Sequence, residues 1–116
     1  MSENYKTKKL FDEGAATYLK KDYKTCIKLF TQALKHDRKS ELVYFSRGTA
    51  YLKLNKFKKA ISDFSRAIRL NPKYASAYHL RGLAYEKMND FAPAFRDFDQ
   101  ALEIDPDLSA AYRLSL

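Results

Sequence analysis

Cysteine, proline and glycine are scarce in this sequence, tryptophan is absent, and only two histidines occur. Each shortage removes a class of protein. The single cysteine, Cys26, cannot close an internal disulfide, so the fold must be held by packing, and Cys26 reads as a small buried side chain. His36 and His79 stand far apart, and no Cys/His cluster or H-E-x-x-H spacing occurs to bind a metal. No glycine-rich phosphate loop is present either, so neither a metal nor any other cofactor is expected. No apolar run approaches the ~18 to 20 residues of a membrane span. The opening residues, MSENYKTKK, lead into no apolar signal core. A soluble, cytoplasmic protein with no membrane partner is the expectation.

Acidic residues are also in short supply. The chain carries 22 Lys and Arg against 14 Asp and Glu, a net charge of +8. The imbalance is uneven, because residues 1–73 hold 18 basic against 7 acidic side chains while residues 74–116 hold 4 against 7. Such polarity can steer an acidic partner, although a solvated helix face is the commoner cause of a lysine excess. Asp97 and Asp99 have no neighbour in sequence that would separate their pKa values. They read as a solvated face rather than an acid/base pair, and no enzymatic activity is expected.

What the sequence has in quantity is apolar and aromatic residues, 46% and 15% of the chain, and these repeat. Residues 41–74 and 75–108 align at an offset of 34 positions. Tyr44, Arg47, Gly48, Ala50, Tyr51 and Phe57 fall on Tyr78, Arg81, Gly82, Ala84, Tyr85 and Phe91. Ala60, Asp63, Phe64, Ala67 and Pro72 fall on Ala94, Asp97, Phe98, Ala101 and Pro106. An internal period of this size marks stacked supersecondary units. A weaker copy precedes them, with Gly14, Tyr23, Phe30 and Ala33 in phase but Thr17 and Arg38 where Tyr51 and Pro72 would correspond.

Apolar periodicity of about 3.6 predicts helices near Tyr5 to Lys20, Tyr23 to His36, Ser40 to Leu54, Phe57 to Leu70, Tyr74 to Met88 and Phe91 to Ile104. Asp22 is placed to accept from a free amide at the start of the second. Asn71-Pro72 and Asp105-Pro106 stop the fourth and sixth. Pro93 lies in a first helical turn, where it costs little. A glycine inside a helix costs about 1 kcal/mol relative to alanine. Gly14, Gly48 and Gly82 therefore imply close helix packing, here expected against Ala33, Ala67 and Ala101. The aromatic stripe of Tyr44, Tyr51, Phe57 and Phe64 reads as core.

The spacing Gly48/Tyr51, Ala60/Phe64, Pro72 resembles that of the tetratricopeptide repeat family, whose signature is a 34-residue helix-turn-helix with G-x2-Y, A-x3-F and P. The resemblance implies an all-α, right-handed α-solenoid in one domain over residues 1–116. Its repeats would span about 7–40, 41–74 and 75–108, closed by a short C-terminal helix at 109–116. It also implies a non-enzymatic scaffold for protein binding, in which the first helix of each unit lines a concave groove for a peptide. The groove-facing positions would be Phe11, Ala15 and Tyr18, then Leu42, Phe45, Thr49 and Leu52, then Ser76, His79, Leu83 and Glu86. One subclass of the family clamps the C-terminal carboxylate of chaperones with lysines, asparagines and an arginine. Those places hold Phe11, Ala15, Ser46, Ser76 and Leu80, so this mode is not expected.

Two rival readings stand beside the peptide groove. Lys20, Lys21, Lys24, Lys28, Lys35, Lys56, Lys58 and Lys59 could meet nucleic-acid phosphates. Alternatively, incomplete shielding of Tyr85, Phe98, Leu102 and Tyr112 could drive self-association through the C-terminal repeat.

Overall fold

A computed structural model describes residues 3–108. The described residues form six helices: α1 (Glu3–Leu19), α2 (Tyr23–His36), α3 (Glu41–Lys53), α4 (Phe57–Leu70), α5 (Ala75–Lys87) and α6 (Phe91–Ile104). Successive helices pair as the hairpins α1/α2, α3/α4 and α5/α6, and α2 packs on α3 and α4 on α5. The result is an α-solenoid measuring 43 × 25 × 24 Å. The bounds of α2, α4 and α6 coincide with the sequence reading, whereas α1 begins earlier and α3 and α5 are trimmed at both ends. The cap expected at 109–116 lies outside the described residues.

Two turn types, each used three times, explain why the chain reverses so regularly. Within a hairpin, Lys21, Asn55 and Asn89 adopt φ of 62°, 59° and 62°. The amides of Asp22, Lys56 and Asp90 then donate to the carbonyls of Thr17, Tyr51 and Tyr85, each at 2.9 Å. This six-to-one bond closes a helix end over a left-handed residue. Asparagine tolerates that region, but Lys21 adopts it with no such help. After each hairpin, Asp37, Asn71 and Asp105 are extended, and their side chains accept from the amides of Lys39, Lys73 and Asp107 at 3.0, 3.2 and 3.1 Å. Asx turns of this kind replace the helical ladder just where it ends. Asp22 and Ser40 also cap α2 and α3 through bonds of 3.3 Å from Thr25 and Val43.

The core combines side chains of the second helix of each pair with Val43, Ala50, Ala77 and Ala84 from α3 and α5. Cys26, Phe30, Ala33, Ala60, Phe64, Ala67, Ala94 and Ala101 are buried. The sequence reading set each glycine against an alanine of the facing helix, and the structure corrects the partner. A Cβ added at Gly14 would sit 2.5 Å from Phe30, at Gly48 2.9 Å from Phe64, and at Gly82 2.8 Å from Phe98. The glycines make room for the edge of a phenylalanine ring from the second helix. Phe64 is 0% exposed, and burying such a side chain contributes about 1.5 to 3 kcal/mol. Tyr51, expected to be inaccessible, remains half-buried.

Candidate groove between the first helices

Each of those phenylalanines carries a second ring on its other side. Phe11 packs on Phe30 with centroids 5.6 Å apart, Phe45 on Phe64 at 5.8 Å, and His79 on Phe98 at 5.3 Å. The three pairs are again 34 residues apart, so a row of rings runs along the face made by α1, α3 and α5. Tyr74, in the turn before α5, stacks on Phe45 at 4.8 Å. Burial first, then the nearby Glu41 carboxylate, pushes the Tyr74 phenol up to about 12. It stays a neutral hydrogen-bonding group. Burial likewise lowers the His79 pKa below its ordinary value, against the opposing pull of Glu86.

Between α1 and α3 this face opens into a cavity of about 300 Å³ lined by Phe11, Ala15, Tyr18, Leu19, Phe30, Phe45, Ser46 and Thr49. Thr49 Oγ1 already donates to the Phe45 carbonyl at 2.9 Å, so apart from Ser46 and the Tyr18 hydroxyl the lining is apolar. No cationic side chain lines it. The sequence-derived groove positions Phe11, Ala15, Tyr18, Phe45 and Thr49 therefore come together at one place. Leu42, Leu52, Ser76, His79, Leu83 and Glu86 do not line the cavity. Leu42 and Glu86 are exposed, and the other four are half-buried. Sequence reasoning did not place Leu19, Ser46 or Phe30 in the groove, the last reaching it from α2.

Family comparison decides what this architecture is. A TPR repeat family model matches residues 48–89, and a tetratricopeptide repeat model matches residues 75–108. The chain belongs to the tetratricopeptide repeat family. Among solved structures, the first TPR of Spaghetti (RPAP3) bound to the HSP90 peptide SRMEEVD superposes with a TM-score of 0.89 and 28% identity, over 96% of this chain and 89% of that one. The Sgt2 TPR domain from Aspergillus fumigatus has a TM-score of 0.82 at 31% identity, over 86% of this chain and 66% of that one. The TPR2B domain of yeast Sti1, in complex with pHsp70, has a TM-score of 0.85 at 26% identity, over 91% and 85%. No curated protein matches the sequence.

The tetratricopeptide array also contains ion pairs, one of them through Asp97, which the sequence reading assigned to solvent. Arg47 Nε and Nη2 donate to the two carboxylate oxygens of Asp63 at 2.8 and 2.7 Å, and Nη1 donates to Thr31 Oγ1 at 3.2 Å. Arg81 repeats this with Asp97 at 2.8 and 2.7 Å and with Ser65 at 3.2 Å. Asp97 is thus buried and paired, while Asp99 is exposed as expected. Each guanidinium ties the two helices of its own repeat and reaches back to the preceding repeat. The paired carboxylate, through hydrogen bond and charge, raises the pKa of each arginine despite partial burial. Tyr44 and Tyr51 flank Arg47 with centroids 6.0 and 5.8 Å from its Cζ. The signal was present in the repeat alignment, where Arg47/Arg81 and Asp63/Asp97 both recur. The first repeat has Glu13 and Leu29 at those positions and makes no such pair.

Other candidates resolve simply. Cys26 is fully buried, and burial first, with Asp22 adding, pushes its thiol up to about 11. Among the described residues, no group of three or more His, Cys, Asp or Glu could hold a metal ion. No described helix is long and apolar enough to cross a membrane. Of the lysines considered for nucleic acid, Lys20, Lys21, Lys24, Lys56, Lys58 and Lys59 lie at or beside the turns within the first two hairpins. Lys28 lies further along α2, and Lys35 is at its opposite end.

Proposed function

We propose that this array is a protein-interaction scaffold whose concave face holds a peptide segment by an apolar anchor side chain seated between α1 and α3. The observation that carries the proposal is the cavity of about 300 Å³, whose lining offers rings and methyl groups but no cation. Apolar clefts with few polar groups take apolar side chains, and the sparse polar groups set orientation. The domains of Spaghetti and Sti1 are similar folds that hold chaperone peptides, which supports peptide binding as the class of activity. Capture of a terminal carboxylate needs charge-assisted donors. Here Phe11, Ala15, Ser46, Ser76 and Leu80 stand at the clamp positions, so we assign the anchor to an internal apolar residue of the ligand.

Panning a displayed random-peptide library on the wild type and on Ala15→Trp, which fills the cavity, tests this. Selected sequences should share an internal Leu, Phe or Met and lose binding at least tenfold to Ala15→Trp. The peptide SRMEEVD should bind no better with a free than with an amidated C-terminus. A tenfold preference for the free carboxylate would sink the internal-anchor reading.

Self-association is a second reading, favoured by the exposure of Phe95 and Leu102 on α6. A two-fold contact through that helix predicts that Phe95→Glu abolishes dimerisation in sedimentation equilibrium. A monomer at every wild-type concentration rejects it.

A further inference from the structure

The turns within hairpins all lie on one edge of the solenoid, because successive helices alternate in direction. That edge gathers charge which the sequence scatters. The first turn presents Lys20, Lys21 and Lys24, and the second presents Lys56, Lys58 and Lys59, all exposed. None of the six forms an ion pair among the described residues, and only Lys59 has a recorded ring contact, with Tyr51. Asp22 and Asp90 are the acids in these turns. The opposite edge mixes the two signs, with Asp37, Glu41, Asp105 and Asp107 among Lys35, Arg38, Lys39, Arg69 and Lys73.

Apolar groups interrupt the same basic edge. Phe91 and Met88, at the third turn, are 49% and 38% exposed. A depression of about 480 Å³ is lined by Asn55, Lys56, Phe57, Lys58, Lys59 and Met88. It joins the second turn to the third and combines apolar side chains with three ammonium groups. Apolar walls under a cationic rim suit an anionic amphiphile, not a fully hydrated anion.

We propose that this edge docks on an anionic phospholipid surface, leaving the peptide groove on the α1/α3/α5 face open. Three features favour a lipid surface over nucleic acid. The cations are all lysines, which act as point charges, while Arg47 and Arg81, whose forked guanidinium would suit phosphate or base recognition, are engaged internally. One of the exposed apolar groups, Met88, offers no ring for base stacking. The 43 Å axis along which the hairpins stack gives the edge an extended footprint rather than a groove that tracks one strand. Polybasic segments are attracted to anionic leaflets within a Debye length, and shallow apolar insertion adds to this. The sequence expectation of no membrane partner came from the lack of a spanning segment, and that lack does not bear on surface docking.

Co-sedimentation with vesicles of phosphatidylcholine alone, or mixed with phosphatidylserine, tests the proposal on the whole chain. Binding should require phosphatidylserine and weaken as salt rises. Each lysine near such a surface multiplies partitioning about fivefold, so K56Q/K58Q/K59Q should lower the partition coefficient on the order of a hundredfold. Phe91→Ser should weaken vesicle binding several-fold while leaving the circular dichroism unchanged. Equal binding to both vesicle types, no binding to either, or an unaffected triple variant overturns it. Tight binding to single-stranded poly(U) RNA, lost in the triple variant while vesicles are ignored, also overturns it and assigns the edge to nucleic acid. The groove reading is untouched by any of these results, since Ala15 lies on another face.

Discussion

Removing the carboxylate of Asp63 is the sharpest test of how the repeats are tied together. Asp63→Ala deletes both acceptors of the Arg47 fork, bonds of 2.8 and 2.7 Å. Arg47 would keep only its 3.2 Å bond to Thr31 and its place between Tyr44 and Tyr51. Leaving one partner of a buried pair uncompensated costs about 3 to 5 kcal/mol. The Arg47 side chain is 13% exposed, so some rehydration is possible, and about 2 to 4 kcal/mol is the expected loss. Asp97→Ala should cost less, because Arg81 is 21% exposed and reaches water more easily. Asp99→Ala, on the exposed face of the same helix, should stay within about 0.5 kcal/mol. Urea unfolding followed by far-ultraviolet circular dichroism measures all three, with the midpoint reporting stability and an unchanged slope confirming the same transition. The apolar double replacement Arg47→Met with Asp63→Leu should recover most of the loss, since the penalty comes from the stranded charge. If Asp63→Ala and Asp99→Ala have the same midpoint, the pairs do not hold the repeats.

Three further outcomes follow from the packing. Gly48→Leu forces a side chain into the 2.9 Å approach of Phe64, so it should lose at least about 1 to 3 kcal/mol while exposed Lys58→Ala stays near zero; equal melting temperatures contradict the ring-on-glycine account. Cys26, buried with its thiol pushed up to about 11, should resist alkylation by iodoacetamide at neutral pH until denaturant is added. Prompt labelling of the folded protein would show that the site opens locally. His79 is held below the ordinary histidine value of about 6.5, chiefly by burial. Its contribution is present above that value and is lost as pH falls through the lowered one, because the unfolded chain protonates first. His79→Gln should therefore flatten part of the fall in melting temperature on acidification, and identical pH profiles would refute the assignment.

The 34-residue period, the 3.6-residue apolar periodicity and the spaced glycine, aromatic and proline positions together made legible the helix count, three of the six helix bounds and the resemblance to the family. A period recurs in sequence whenever identical units stack, and proline and Asx residues mark where each ladder must stop. Five of the positions named from the family resemblance, Phe11, Ala15, Tyr18, Phe45 and Thr49, line the cavity between α1 and α3. What only the tertiary structure decided is which side chain meets which. Gly48 proved to meet Phe64 most closely, since helical phase names a face but not the rotamer that crosses it. Asp97 looked solvated because its partner Arg81 lies on the facing helix, sixteen residues away. Likewise the lysines of the first and second turns are more than thirty residues apart in sequence, as Lys24 and Lys56 are, and become one edge only because alternating helix directions bring every such turn to the same side.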